Sequence, residues 1–295
     1  MKLSKNKCKT VTAICYAGGK SKVVKNLLSD YFPQESFETY HEPFFGGGSV
    51  GLFIKQMYPN SKCSINDLSE KLINFWINVR DNSDDMINAL HIIRDEYNTE
   101  ETERGKELLS NMNYQLEHGN NFERAIAYYV LNKIAFSGLT ENNTLSKHNY
   151  VKKYNHTNID KLKFISCLIA DFEMFNLDFV EYFKKIKPKD FTFLDPPYMI
   201  ENDKLYGKNG DLHSGFNHYL FFDEMKKMPG KWVLTYNDNE IIRETFKDFN
   251  IYDAQYRYCL AHKKNEAGGK ETILKNELII TNFKGGHNET NYEIN

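Results

Sequence analysis

The chain has 295 residues, with 38 Lys and Arg against 40 Asp and Glu and a formal net charge of −2. That length suffices for one α/β core and a small second lobe, and near-neutral charge argues against a coat protein that grips nucleic acid through phosphates alone. Five cysteines, Cys8, Cys15, Cys63, Cys167 and Cys259, form no C-x-x-C pair, which argues against a zinc site or a disulfide frame. The sequence contains neither an apolar run long enough to span a membrane nor a signal-peptide core. A soluble cytoplasmic protein with no metal site is therefore expected.

In chain order, Tyr16-Ala17-Gly18-Gly19-Lys20 puts a ring, a tight turn and a cation ahead of a predicted helix, Val23 to Tyr31. A short strand, Phe37 to His41, leads into Glu42-Pro43-Phe44-Phe45-Gly46-Gly47-Gly48-Ser49 and then a helix, Val50 to Met57. Glycines at a strand-to-helix turn let backbone approach a ligand closely and tolerate positive φ. Neither the full G-x-G-x-x-G fingerprint nor a Walker loop is present, which disfavours a dinucleotide or nucleotide phosphates. About twenty residues on, Cys63-Ser64-Ile65-Asn66-Asp67 reads as an apolar strand ending in an acid, the place where a ribose diol is commonly held. An Asp there also serves as a helix cap.

A helix follows from Leu68 to Val79, then an almost purely helical region with predicted helices Asp84 to Tyr97, Glu101 to His118 and Asn121 to Phe136. Ser137 to Asn158 reads as a long polar loop, and Lys147, His148, Lys152, Lys153, His156, Lys161 and Lys163 form a basic cluster around it. A second basic group comprises Lys263, Lys264, Lys270 and Lys275. Strand signals resume at Phe164 to Ala170, Phe191 to Leu194, Trp232 to Thr235, Ile251 to Tyr258 and Leu278 to Asn282. Between the second and third of these strands, Met199 to Phe216 carries Gly207, Gly210 and Gly215 and reads as a cover for a pocket.

The most specific segment is Asp195-Pro196-Pro197-Tyr198, behind the apolar run Phe191 to Leu194. A carboxylate and a proline carbonyl at a fixed angle can each accept one hydrogen of an exocyclic amine, and Tyr198 offers a ring for stacking a base. The same geometry suits adenine N6 and cytosine N4.

Tyr-Ala-Gly-Gly-Lys, Glu-Pro-Phe-Phe-Gly-Gly-Gly-Ser, Ile-Asn-Asp and Asp-Pro-Pro-Tyr, in this order, resemble the Dam-like, alpha-group (D12 class) DNA adenine-N6 methyltransferases. Val130 to Leu139, Ala170 to Glu173 and Asn276 to Asn282 are similar to further segments of that family. The resemblance runs from about Ile14 to Phe283 and implies a Rossmann-like α/β sheet that uses S-adenosylmethionine on double-stranded DNA. It implies a catalytic domain from residues 1–82 and 159–295 with an inserted helical recognition domain, 83–158. By position it puts Tyr16, Ala17, Gly18, Lys20, Phe44, Gly46, Gly48, Asp67, Asp171, Phe172 and Asp195 around the cofactor. Asp67 would take the ribose, Asp171 and Phe172 the cofactor's adenine. Asp195, the Pro196 carbonyl and Tyr198 would hold the target amine. Glu141 stands where the family often has an arginine and Ser137 where it has an asparagine, so the family's familiar recognition sequence does not carry over. An acid cannot make arginine's bidentate contact to guanine. A cognate restriction endonuclease is a possible partner. Cytosine-N4 methylation and a DNA-binding relative without catalysis stay open at this point.

Overall fold

The computed structural model describes residues 3–25, 28–97, 101–136, 140, 143–199, 215–264 and 270–284, of which 255–275 are described as backbone alone. Ser137, Glu141, Gly207 and Gly210 lie outside the described residues, as does most of the predicted cover 199–216.

Seven strands form one sheet: β1 (Thr39–Glu42), β2 (Lys62–Asn66), β3 (Glu173–Phe175), β4 (Phe191–Leu194), β5 (Lys231–Asn237), β6 (Asn250–Lys264) and β7 (Lys270–Thr281). Their order is β3-β2-β1-β4-β5-β7-β6. The first five strands in that order pair in parallel, while β7 runs antiparallel to both neighbours. This doubly wound sheet is Rossmann-like, as the sequence leads one to expect. The parallel strands β1, β2, β4 and β5 are short and mostly buried because both faces are covered. On β4, Phe191 and Phe193 belong to the cluster on one face and Leu194 to that on the other. On β5, Val233 faces the first cluster, while Trp232, Leu234 and Tyr236 face the second.

The first face is covered by α1 (Ser49–Met57), α2 (Glu70–Asp81), α5 (Asn121–Ile134) and α7 (His156–Ile169). Helices α3 (Ser83–Glu96) and α4 (Thr102–His118) pack outside α2 and α5. Their apolar residues, among them Met86, Leu90, Leu108 and Leu116, are continuous with that same core. A short α6 (Lys147–Lys152) sits within the stretch expected to be a loop. The second face carries α8 (Phe179–Phe183), α9 (His218–Lys227) and α10 (Glu240–Thr245).

Two sequence expectations are corrected. Phe164 to Ala170 is not a strand; it is the second half of α7. Ile159, Leu162, Ile165 and Ile169 recur at helical spacing and are buried, while Asn155 caps the start by accepting the Asn158 N–H. The short β-branched run hid that longer period. Val23 to Tyr31 is not described as a helix either: its described residues hold one 3₁₀ turn, Leu28–Tyr31, and a second 3₁₀ turn, Lys20–Lys22, precedes them.

A buried polar network ties the sheet to α8. The His41 Nε2–H donates to Asp190 (3.0 Å), and its Nδ1 lies 3.1 Å from the Tyr182 hydroxyl. The Tyr182 hydroxyl also lies 2.7 Å from the Ser64 carbonyl on β2. Asp190 further accepts the Lys187 N–H at 2.8 Å and the Thr39 N–H at 3.2 Å. Burial holds the His41 imidazole below its ordinary pKa and outweighs the opposing pull of Asp190. The unfolded chain, with a histidine near 6.5, therefore takes up the proton more readily. His41's contribution to stability is complete above about pH 6.5 and is lost as pH falls through the lowered folded value. We expect urea midpoints of the wild type to fall between pH 7 and 5, and a shallower fall in His41→Gln. Identical slopes contradict this role for His41.

Candidate active site

Strand order reverses between β1 and β4. In open α/β sheets the crevice beyond the strand ends at such a point is where ligands bind. A cavity of about 610 Å³ opens there, within the range of small-molecule sites.

The turn after β1 forms one wall. The Phe45 N–H donates to the Asn66 carbonyl (2.9 Å), and the Gly46 N–H donates to Asp67 Oδ2 (2.9 Å). The Trp76 indole N–H donates to the Gly46 carbonyl (3.1 Å). Gly46 (φ +49°) and Gly48 (φ +69°) have left-handed backbone, and a Cβ at Gly46 would stand 2.7 Å from the Tyr16 ring. Only glycine satisfies both demands at position 46. Burial raises the pKa of the Asp67 carboxyl, against the opposing effect of the backbone N–H groups it accepts.

Asn66 ties three loops together at this wall. Its Nδ2 donates to the Pro43 and Leu177 carbonyls, and its Oδ1 accepts the Leu177 N–H. Leu177, Asp178 and Phe179, just beyond β3, thereby line the cavity.

The N-terminal segment lines the cavity beside that turn. The Asn132 side chain on α5 makes a reciprocal pair with Cys15, accepting its N–H and donating to its carbonyl, both at 2.8 Å. The next residue is Tyr16, and Lys20 follows in a 3₁₀ turn. Lys20 is only 4% exposed. Its Nζ donates to both Asp195 oxygens (2.8 and 2.9 Å), the Tyr198 hydroxyl (3.0 Å) and the Gly18 carbonyl (3.0 Å).

Asp195 follows β4 directly. Beyond Lys20, its Oδ1 accepts the Thr235 hydroxyl from β5 at 2.7 Å and the Tyr198 hydroxyl at 2.9 Å. Glu277, buried on β7 opposite Asn237, lies 3.2 Å from that phenol and 3.8 Å from Lys20 Nζ. Glu42 ends β1 in the same cavity and accepts the Tyr40 hydroxyl at 2.8 Å; burial pushes its carboxyl well above the usual range.

Tyr16, Ala17, Gly18, Lys20, Phe44, Gly46, Gly48 and Asp67 all line this one cavity, with Asp195, Pro196 and Tyr198. Asp171 and Phe172 do not: Asp171 pairs with Lys55 at 2.6 Å, and Phe172 is buried against Phe45. The Asp-Phe pair recurs at 178–179, and it is this second copy that lines the cavity. Reading the strand over 164–170 instead of 173–175 put the acid at its end one pair too early. Glu277, Thr235, Asn66 and Asn132 were given no role from the sequence, although Asn66, Asn132 and Glu277 lie in segments similar to the family's. Glu277 carries a further signal, as a lone acid heading the apolar run Leu278-Ile279-Ile280.

Residues 16–260 match the model of the D12 class N6 adenine-specific DNA methyltransferases. The type II methyltransferase M1.LlaDCHI of Lactococcus lactis subsp. cremoris is 26% identical, the alignment covering 95% of this chain and 98% of that protein. The type II methyltransferase M.MjaIII of Methanocaldococcus jannaschii is 28% identical, over 91% of this chain and 97% of its own length. The DNA N-6-adenine-methyltransferase of Escherichia phage P1 is 29% identical over 88% of this chain, which spans 34% of that larger protein. The matched span takes in the glycine turn, Asp67 and the Asp195–Tyr198 segment, and the chain belongs to the D12 class of N6 adenine-specific DNA methyltransferases.

Proposed function

We propose that the cavity holds S-adenosylmethionine and the N6 amine of an adenine extruded from duplex DNA, side by side, and that Asp195 and the Pro196 carbonyl accept the amine hydrogens. The observation that carries this reading is the sharing of one cavity by the glycine turn and Asp195, on adjacent strands β1 and β4. The residues present fit the donor. Gly46 and Gly48 leave the turn without side chains, Asp67 suits a vicinal diol, and Phe44, Leu177 and Phe179 suit a purine. Asp178 stands beside them as an acceptor. When bound, the donor supplies an electrophilic sulfonium methyl group.

The chain's own residues do the rest. An exocyclic amine is a weak nucleophile because its lone pair is shared with the ring. Two acceptors at fixed positions draw on its N–H bonds and localise that lone pair. Lys20 and Thr235 hold the Asp195 carboxylate in place. Tyr198, whose ring lies 5.1 Å from that of Tyr236, offers a stacking surface. Positioning of this kind is the main source of rate for a transfer between two bound groups.

Helices between residues 83 and 158 are proposed as the DNA-recognition domain, the remainder as the catalytic domain. The end of α5 supports this. Ala135 bridges to Leu145, and the Ser146 N–H donates to the Ile134 carbonyl, so the basic α6 starts beside the turn of α5 that holds Cys15. Extruding the adenine costs a few kcal/mol, which contacts of that basic face with the DNA backbone would offset. The names of the relatives support a restriction endonuclease as functional partner. A cytoplasmic location fits this role, and no helix among the described residues is long and apolar enough to cross a membrane.

Asp195→Ala is expected to lower the turnover of DNA methylation by about a hundredfold or more, with the fold retained by circular dichroism; near-normal turnover would refute its assigned role. Asp67→Ala is expected to weaken binding of S-adenosylhomocysteine about tenfold or more, measured by titration calorimetry. Unchanged affinity would remove Asp67 from the donor site.

A further inference from the structure

The Tyr198 hydroxyl lies between two carboxylates. It donates to Asp195 Oδ1 at 2.9 Å, and Glu277 Oε2 stands 3.2 Å away. A phenol has one hydrogen, so the two acids compete for it. Asp195 Oδ1 also accepts Lys20 Nζ and the Thr235 hydroxyl. Three donors thus sit on Oδ1 while Oδ2 carries Lys20 alone, and each donor weakens the carboxylate as an acceptor for a further one. The Tyr198 bond is the one with a second carboxylate at hand.

We propose that Glu277 is a positioning residue: it takes over the Tyr198 hydrogen bond when a base enters, and so removes one donor from the Asp195 carboxylate as the amine arrives. This rests on the reading of Asp195 as the amine's acceptor. No proton leaves the phenol; only its acceptor changes. The motion is small, because the ring stays beside Tyr236 while the O–H turns from one carboxylate to the other. Tyr236 is itself held, its hydroxyl 2.6 Å from His218 Nδ1. Glu277 is 2% exposed, and burial of a carboxylate is costly unless strong donors meet it. Lys20 and Tyr198 are such donors, and both also donate to Asp195. Lys20 reaches both acids, so it keeps the charge at the site steady while the hydroxyl changes partner.

The test is a double-mutant cycle on single-turnover methyl transfer with saturating donor and duplex DNA. A neutral amide accepts more weakly than a carboxylate, so Glu277→Gln is expected to slow transfer about tenfold when Tyr198 is present. In the Tyr198→Phe background there is no hydroxyl to relocate, and the same substitution is expected to slow transfer by about twofold or less. Equal slowing in both backgrounds overturns the proposal. Donor affinity by calorimetry, and the fluorescence of 2-aminopurine at the target position on DNA binding, are expected to be unchanged by Glu277→Gln. A loss of either that matches the rate loss also overturns it. Glu277→Asp, which keeps the charge beside Lys20 but draws the acceptor back, is the second variant; its slowing must likewise vanish with Tyr198→Phe. Asp195→Ala reports on the underlying reading separately, since its activity does not depend on the outcome of the cycle.

Discussion

The ion pair between Lys20 and Asp195 is the contact around which the site is organised. It joins a segment that precedes the first strand to the residue that follows the fourth. A lysine this buried would be destabilising without carboxylate partners, and Asp195 and Glu277 both stand within 4 Å of its Nζ. The N-terminal segment is therefore drawn across the crevice between β1 and β4, and Tyr16 is pressed against the glycine turn. The result is a cavity with a wall on both sides where a bare strand end would leave an open cleft. The Asn132–Cys15 pair fastens that same segment to α5. One short stretch of chain thus touches the glycine turn, Asp195 and the helices proposed to meet DNA.

The charges around the cavity follow from the same arrangement. Glu42, Asp67, Asp178, Asp195 and Glu277 face it, with Lys20 as the cation among the described lining residues. Burial pushes Glu42 and Asp67 toward their neutral forms, which limits repulsion between neighbouring acids. Asp195 is treated differently, being held by Lys20, Thr235 and Tyr198 together. An acidic cavity with one fixed cation suits a donor that is itself positively charged.

Much of this was legible in the residues. The glycine turn, the acid at the end of β2 and the Asp195–Tyr198 segment are local features, each fixed by turn chemistry or by a strand's end, and the fold brings them into one cavity. What failed was the reading of short apolar runs. Phe164 to Ala170 has strand composition, and only the buried positions further upstream, Ile159 and Leu162, reveal the helical period. That error displaced the acid that lines the cavity from Asp178 to Asp171. The partners of Lys20 were also out of reach, because its contacts with Asp195 and Glu277 span 175 and 257 positions and depend on β7 entering the sheet between β5 and β6. Asn66 and Asn132 lie in segments that resemble the family's, but the backbone groups they bond are distant in sequence, so their roles were out of reach for a related reason.

The central claim is that one cavity seats the donor against the glycine turn with its reacting end toward Asp195. A crystal of the protein grown with S-adenosylhomocysteine tests it most directly. The account predicts difference density in this cavity, with the ribose at Asp67, the adenine against Phe44 and Phe179, and the sulfur on the Asp195 side of the turn. Density at another place on the protein, or an orientation that points the sulfur away from Asp195, would contradict it.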